Sequence, residues 1–206
     1  MSAVTTLLPP QPAYTDEPIY RLTVEQYHDL IDRGKLTHDD PVELIEGVLV
    51  FKMPKNRPQK SAVRRCNRAI TAVLPDNYFY DPEQPLTLAD GEPEPDGMVV
   101  AGQIEHYDDI DVNPSRISLV IEVSDSTLKR DRATKLRSYA RARIICYWIV
   151  NLIDRQIEVH TQPDATADIP TYRDRQVFTP GQRVPLVIGR NTIAEIAVED
   201  LLPVQT

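Results

Sequence analysis

The sequence predicts an α/β fold: a central mixed β-sheet flanked by α-helices, in a single domain. Three observations carry this. Two nearly continuous apolar runs, 117–124 and 144–151, have the character of strands covered on both faces. A helical stretch, 127–142, lies between them. The chain's 206 residues are enough for one sizeable core, with no internal repeat and no clear linker after residue 20.

Each element has its own signal. Residues 1–19 carry four prolines and no apolar period, so they are expected to form an extended N-terminal arm, leaving 20–206 as the domain. Thr23 and Gln26 fit a capping box, Val24, Tyr27, Leu30 and Ile31 follow at helical spacing, and Gly34 ends the helix. Two β-rich runs around Glu46-Gly47 predict a hairpin over 41–54. Ala62, Val63, Cys66, Ala69, Ile70 and Val73 give a helix over 60–74 its apolar face. Short strands are expected at 78–81, 85–88 and 97–101, followed by an acidic loop over 102–115. After the strand at 144–151, residues 156–161 supply a hairpin partner. Residues 171–178 and 183–188 read as strands, and 191–202 as a closing helix.

Several classes are excluded at once. The longest purely apolar run, 144–150, is far too short to span a membrane. The N-terminus lacks the basic and apolar regions of a secretory signal. Two cysteines cannot build a disulfide framework, so a reducing, cytoplasmic compartment is expected. With only seven glycines, neither GxGxxG nor GxxxxGK[ST] occurs.

The net charge of −8 argues against a surface that binds polyanions throughout. Its distribution is uneven. Lys52, Lys55, Arg57, Lys60, Arg64, Arg65 and Arg68 fall in one stretch without an acid. Lys129, Arg130, Arg132, Lys135, Arg137, Arg141 and Arg143 fall in a second with one acid, Asp131. Such runs are either solvated helix faces paired to acids elsewhere or a cationic surface suited to phosphates. Both readings stand at this point.

The chemistry centres on carboxylates. Asp96 stands where a strand begins, and Glu122 lies inside an apolar strand, where a lone acid is costly unless paired or bound to a metal. Glu43 and Glu46 are candidates for a third. Three converging carboxylates without a well-placed histidine suit a hard divalent ion, Mg²⁺ or Mn²⁺. His28, His38, His106 and His160 lie in other segments and are expected to serve packing or surface roles. Trp148, Cys66 and Cys146 read as core residues, and Tyr139 as packing against the sheet or orienting an acid, packing being preferred.

The ordered series VELIEGVLV, a basic helix, EPDGMVV, LVIEVSDST, a K-x₃-Y helix (Lys135, Tyr139) and CYWIVN resembles the restriction-endonuclease-like family labelled Uma-two, in the PD-(D/E)XK nuclease superfamily. The resemblance covers roughly residues 20–203. It implies a restriction-endonuclease-like core. It also implies phosphodiester hydrolysis of DNA by a metal-activated water with Mg²⁺ or Mn²⁺ as cofactor. Asp96 and Glu122 would be metal ligands, Glu43 would complete the site, and Lys135 would steady charge. Lys60, Arg64, Arg65, Arg68, Lys129 and Arg132 are the candidates for contacting DNA, and a homodimer is compatible with cutting both strands.

Two positions depart from the family's pattern. Ser124 stands where the E-x-K lysine is expected, and Lys60 roughly where a histidine commonly opens the helix. Lys135 is the best substitute for the missing lysine, with Lys129 and Arg132 as competitors. These departures and the net charge sustain an alternative, a catalytically degenerate nuclease fold acting in nucleic-acid binding or assembly. Hydrolysis of another phosphoester is a third reading.

Overall fold

The computed structural model describes residues 18–37 and 39–204. All but the last two residues of the expected N-terminal arm, and His38, lie outside them. The chain runs α1 (Val24–Asp32), β1 (Val42–Ile45), β2 (Val48–Phe51), α2 (Arg57–Thr71), β3 (Tyr78–Asp81), β4 (Gly97–Ala101) and β5 (Ile117–Ser124). Next come α3 (Leu128–Arg130), a π-helical turn (Asp131–Lys135), α4 (Leu136–Arg141), β6 (Cys146–Asn151), β7 (Gln156–Asp164) and β8 (Thr171–Phe178). It closes with β9 (Arg183–Ile188), β10 (Asn191–Ala197) and α5 (Val198–Leu201).

The main sheet has six strands in sequential order, β3 to β8. Only β5 and β6 are parallel, and the helical segment 128–141 makes the crossover that parallel neighbours require. Both central strands are buried along their whole length, as their continuous apolar character predicts. Side chains alternate across the sheet. Leu119, Ile121, Val123, Trp148 and Val150 join Ala62, Val63, Cys66 and Ile70 of α2 in one core layer. Val120, Tyr147 and Ile149 join Leu128, Tyr139 and Ala140 in the other. Glu122 and Ser124 therefore point toward the layer covered by α3 and α4.

The β1–β2 turn takes positive φ at both Glu46 and Gly47, the twist that a two-residue hairpin favours. Helix α2 starts three residues before the expected boundary because Asn56 and Gln59 form a capping box and Pro58 occupies the first turn. Gly97 has no tolerance for a side chain: a Cβ there would lie 1.9 Å from the Tyr80 hydroxyl.

Two expected elements differ. Residues 85–88 form no strand. Leu86 and Leu88 are buried, but their amides bond back to Pro93 and Gly91 within a local loop. Residues 191–197 form a strand rather than a helix, because Gly189, at φ +63°, turns the chain back on β9. Only 198–201 is helical. The apolar spacing of 193–202 fits a helix, and the hairpin partner overrides it. Among the described residues, no helix is long and apolar enough to cross a membrane.

Candidate active site

Strand β5 carries Glu122 inward at 5% exposure. One of its oxygens, Oε1, accepts from Lys135 Nζ at 2.8 Å and from the Tyr139 hydroxyl at 2.6 Å. Lys135 and Tyr139 stand four residues apart, so both reach the same strand residue. Lys135 Nζ also lies 3.2 Å from Glu43 Oε2 on β1. Glu43 is fixed further by the Glu94 amide at 3.1 Å and by Arg130 at 3.4 Å.

Asp96, at the head of β4, receives the Val123 amide on Oδ2 at 2.6 Å. The antiparallel pairing of β4 with β5 brings the two together. Its other oxygen meets Lys55 Nζ at 2.6 Å. Glu43, Asp96, Glu122, Lys55, Arg130 and Lys135 line one cleft of about 110 Å³. Thus the structure places Glu43, Asp96, Glu122 and Lys135 in one cleft.

The carboxylates are interleaved with ammonium groups. Lys135 stands between Glu43 and Glu122, and Lys55 holds Asp96. Among the described residues, no group of three or more His, Cys, Asp and Glu is drawn close enough to hold a metal ion. Glu43, Asp96 and Glu122 carry the kind of oxygen donors a hard cation takes, but Lys55 and Lys135 hold those oxygens in this arrangement. Glu122 is deeply buried. Burial pushes its carboxyl up to about 8 against the pull of Lys135, and Asp131, Asp96 and Glu43 push the same way. Burial lowers Lys135, but Glu122, Glu43 and Asp131 more than reverse this, so its charge is firmly held.

Tyr139 combines the two roles open to it in the sequence: it is buried in the core, and its hydroxyl bonds the central acid. Other residues fall outside the expected roles. Lys55 and Arg130, read in the sequence only as parts of basic runs, each hold a cleft carboxylate. The signal for both was the pairing need of the acids, which the sequence does not resolve by partner. Glu46 does not join the cleft. It bonds Arg137 and Arg141, and these bonds, the Arg137 bond foremost, hold its carboxyl below the usual range. His160 is buried against Tyr147 and Tyr172, and His28 bonds Glu92. Neither lines the cleft.

The basic residues divide. Arg57, Lys60, Arg64 and Arg68 are exposed along one stripe of α2 at helical spacing. These four and the half-buried Arg65 are free of acidic partners among the described residues. Lys129 is also exposed and unpaired. Arg132 is not available in the same way. It bonds the fully buried Glu158 on β7 and also meets Asp154.

A model of the family described as Uma2, "Putative restriction endonuclease", matches residues 24–197. No curated protein matches the chain. Among solved structures, a "putative nuclease belonging to DUF820" from Anabaena variabilis superposes with a TM-score of 0.66 at 17% identity, over 87% of this chain and 97% of that one. At that identity the likeness shows a shared fold.

Proposed function

The chain belongs to the Uma2 family of restriction-endonuclease-like proteins, and on that premise we propose that it is a metal-dependent DNA endonuclease. The observation that carries this is the meeting of Glu43, Asp96, Glu122 and Lys135 in one cleft, with an unpaired cationic stripe on α2. The helix cap Asn56 bonds Asp125, just past the end of β5, at 2.6 Å, so the start of the stripe lies beside the cleft.

Asp96 and Glu122 would hold a divalent ion, with Glu43 completing the set. Such an ion, when bound, lowers the pKa of an attacking water and offsets charge on the phosphoryl oxygens. The chain's own groups supply the rest. Tyr139 fixes the rotamer of Glu122 through its hydroxyl. Lys135 brings a permanent positive charge to the cleft floor, where it can steady the phosphoryl charge that Ser124 cannot. Lys55 must turn from Asp96 if both its oxygens are to be used. Arg57, Lys60, Arg64, Arg65 and Arg68 would track the phosphate backbone, with Lys129 contributing from the crossover.

Calorimetric titration with Mn²⁺ tests the reading. The wild-type chain is expected to bind at micromolar to millimolar metal, and Asp96→Asn to bind at least tenfold more weakly. No heat at millimolar Mn²⁺ would leave the degenerate, DNA-binding alternative.

A further inference from the structure

Ser124 occupies the superfamily's lysine position, and its hydroxyl is fully buried. It donates to Asp131 Oδ2 at 2.7 Å. The Thr127 hydroxyl donates to the same oxygen at 2.7 Å, and the Tyr147 hydroxyl bonds the Asp131 carbonyl at 3.1 Å. Asp131 is itself buried, and its Oδ1 has no hydrogen-bond partner in the structure. It is also the first residue of the π turn whose last residue is Lys135.

The π turn has a geometric consequence. Four residues carry an α-helix about 40° beyond a full circle, so residues 131, 135 and 139 would drift by about 80° on a regular helix. The wider i→i+5 winding takes up much of that drift. All three side chains then face β5: Asp131 toward Ser124, Lys135 and Tyr139 toward Glu122. A π turn is rarely stable by itself, and this one begins at a residue tied to the sheet by the Ser124 and Tyr147 hydroxyls and held also by Thr127, just past β5.

We infer that Ser124, Thr127 and Asp131 form a clamp that positions Lys135. On this view Ser124 is a positioning residue for the lysine that replaces the one missing at its own site. The inference rests on the nuclease reading for its purpose but not for its test.

The test uses the purified full-length chain with Ser124→Ala, Asp131→Ala and Asp131→Asn, and Ser138→Ala as a control. Ser138 lies on the same helical segment and bonds only the Thr134 carbonyl. Reductive methylation with formaldehyde and borohydride, mapped by peptide mass, reads the access of each lysine. Exposed Lys60 and Lys129 mark full reaction. Lys135 should be protected in the wild type and the control. Its methylation should rise at least fivefold in Ser124→Ala and Asp131→Ala. It should rise less than twofold in Asp131→Asn, which keeps an oxygen for the hydroxyls. Should Asp131→Ala not fold, Ser124→Ala, which deletes a single hydroxyl, carries the test.

On duplex DNA with Mn²⁺, Ser124→Ala should lower kcat about tenfold with KM within twofold, because Ser124 is fully buried and makes no contact with solvent. Protection of Lys135 unchanged in Ser124→Ala and Asp131→Ala overturns the clamp, whatever the chain does to DNA. Release of Lys135 in a chain whose wild type never cuts DNA leaves the clamp standing and overturns the nuclease reading.

Discussion

The two basic runs look alike in sequence and behave as opposites in the structure. In the run from Lys129 to Arg143, five of the seven cations are committed to acids. Arg130 meets Glu43, and Arg132 meets Glu158. Lys135 meets Glu122 and Glu43, while Arg137 and Arg141 meet Glu46. In the run from Lys52 to Arg68, Lys52 and Lys55 are held near the cleft. The cations on α2 have no acidic partner among the described residues. The first of these runs is a crossover that packs over the ends of strands carrying buried acids. The second covers its core with Ala62, Val63, Cys66 and Ile70 and leaves its charges to solvent. A charge run thus reports a function only after its partners are known.

That contrast can be broken by substitution. The largest effect should come from the most deeply committed cation. Lys135→Met leaves Glu43 and Glu122 buried without their shared ammonium, and should cost about 3 kcal/mol of stability near neutral pH. The sign with pH follows from Glu122. Its folded value, about 8, lies above its unfolded one, so the metal-free chain loses stability as pH rises from about 4.3 toward 8. Without Lys135 the carboxyl rises further, and the loss should run on undiminished through pH 8. Thermal melts in chelator at pH 5, 6.5 and 8 would read this. A variant as stable as wild type at pH 8 would mean that the ammonium contributes nothing there.

Arg132→Ala should come next, at about 2 kcal/mol, because a fully buried carboxylate loses a bidentate partner. Burial pushes Glu158 up. The donors around it, with Arg132, Asn151 and Gln156 bonded and His160 at 3.8 Å, hold it far below the usual carboxylate range. Its contribution is therefore full above the ordinary glutamate value and fades as pH falls below it. DNA affinity should stay within twofold of wild type. A tenfold loss of affinity with an unchanged melt would reverse the assignment.

The α2 stripe should show the converse. Replacing Lys60, Arg64 and Arg68 together with Ala should leave the melt unchanged. It should weaken duplex binding about tenfold and flatten the dependence of log K on log salt by about 2 to 3. An unaltered salt slope would remove the stripe from the interface. The smallest effect belongs to Lys129→Ala, a single exposed cation, at about twofold in affinity and less than about 0.5 kcal/mol in stability.

Much of this was legible in the sequence. The two central strands declared themselves by apolar continuity, α1 by its periodicity and capping box, and α2 by its periodicity alone. Glu122 stood out because an acid in such a strand must find a partner. What the sequence could not display was which partner. Asp96 and Glu122 come together through the register of β4 on β5, and Lys55 reaches Asp96 from just before α2. These are tertiary facts with no local signature. The β10 strand was hidden because its apolar spacing satisfies a helix equally well, until the turn at Gly189 supplies a pairing strand. The π turn was hidden because its residues, Asp131 to Lys135, are ordinary helix formers, and the hydroxyls that anchor it come from outside the turn.

The central claim is that the carboxylate cleft cuts DNA with a divalent ion. The direct measurement is cleavage of duplex DNA in Mg²⁺ or Mn²⁺ by wild type, Asp96→Ala and Glu122→Ala, with all three chains shown to be folded. The account predicts metal-dependent cleavage by wild type and at least about a 1,000-fold loss in each variant. Cleavage that survives both substitutions unchanged would contradict it.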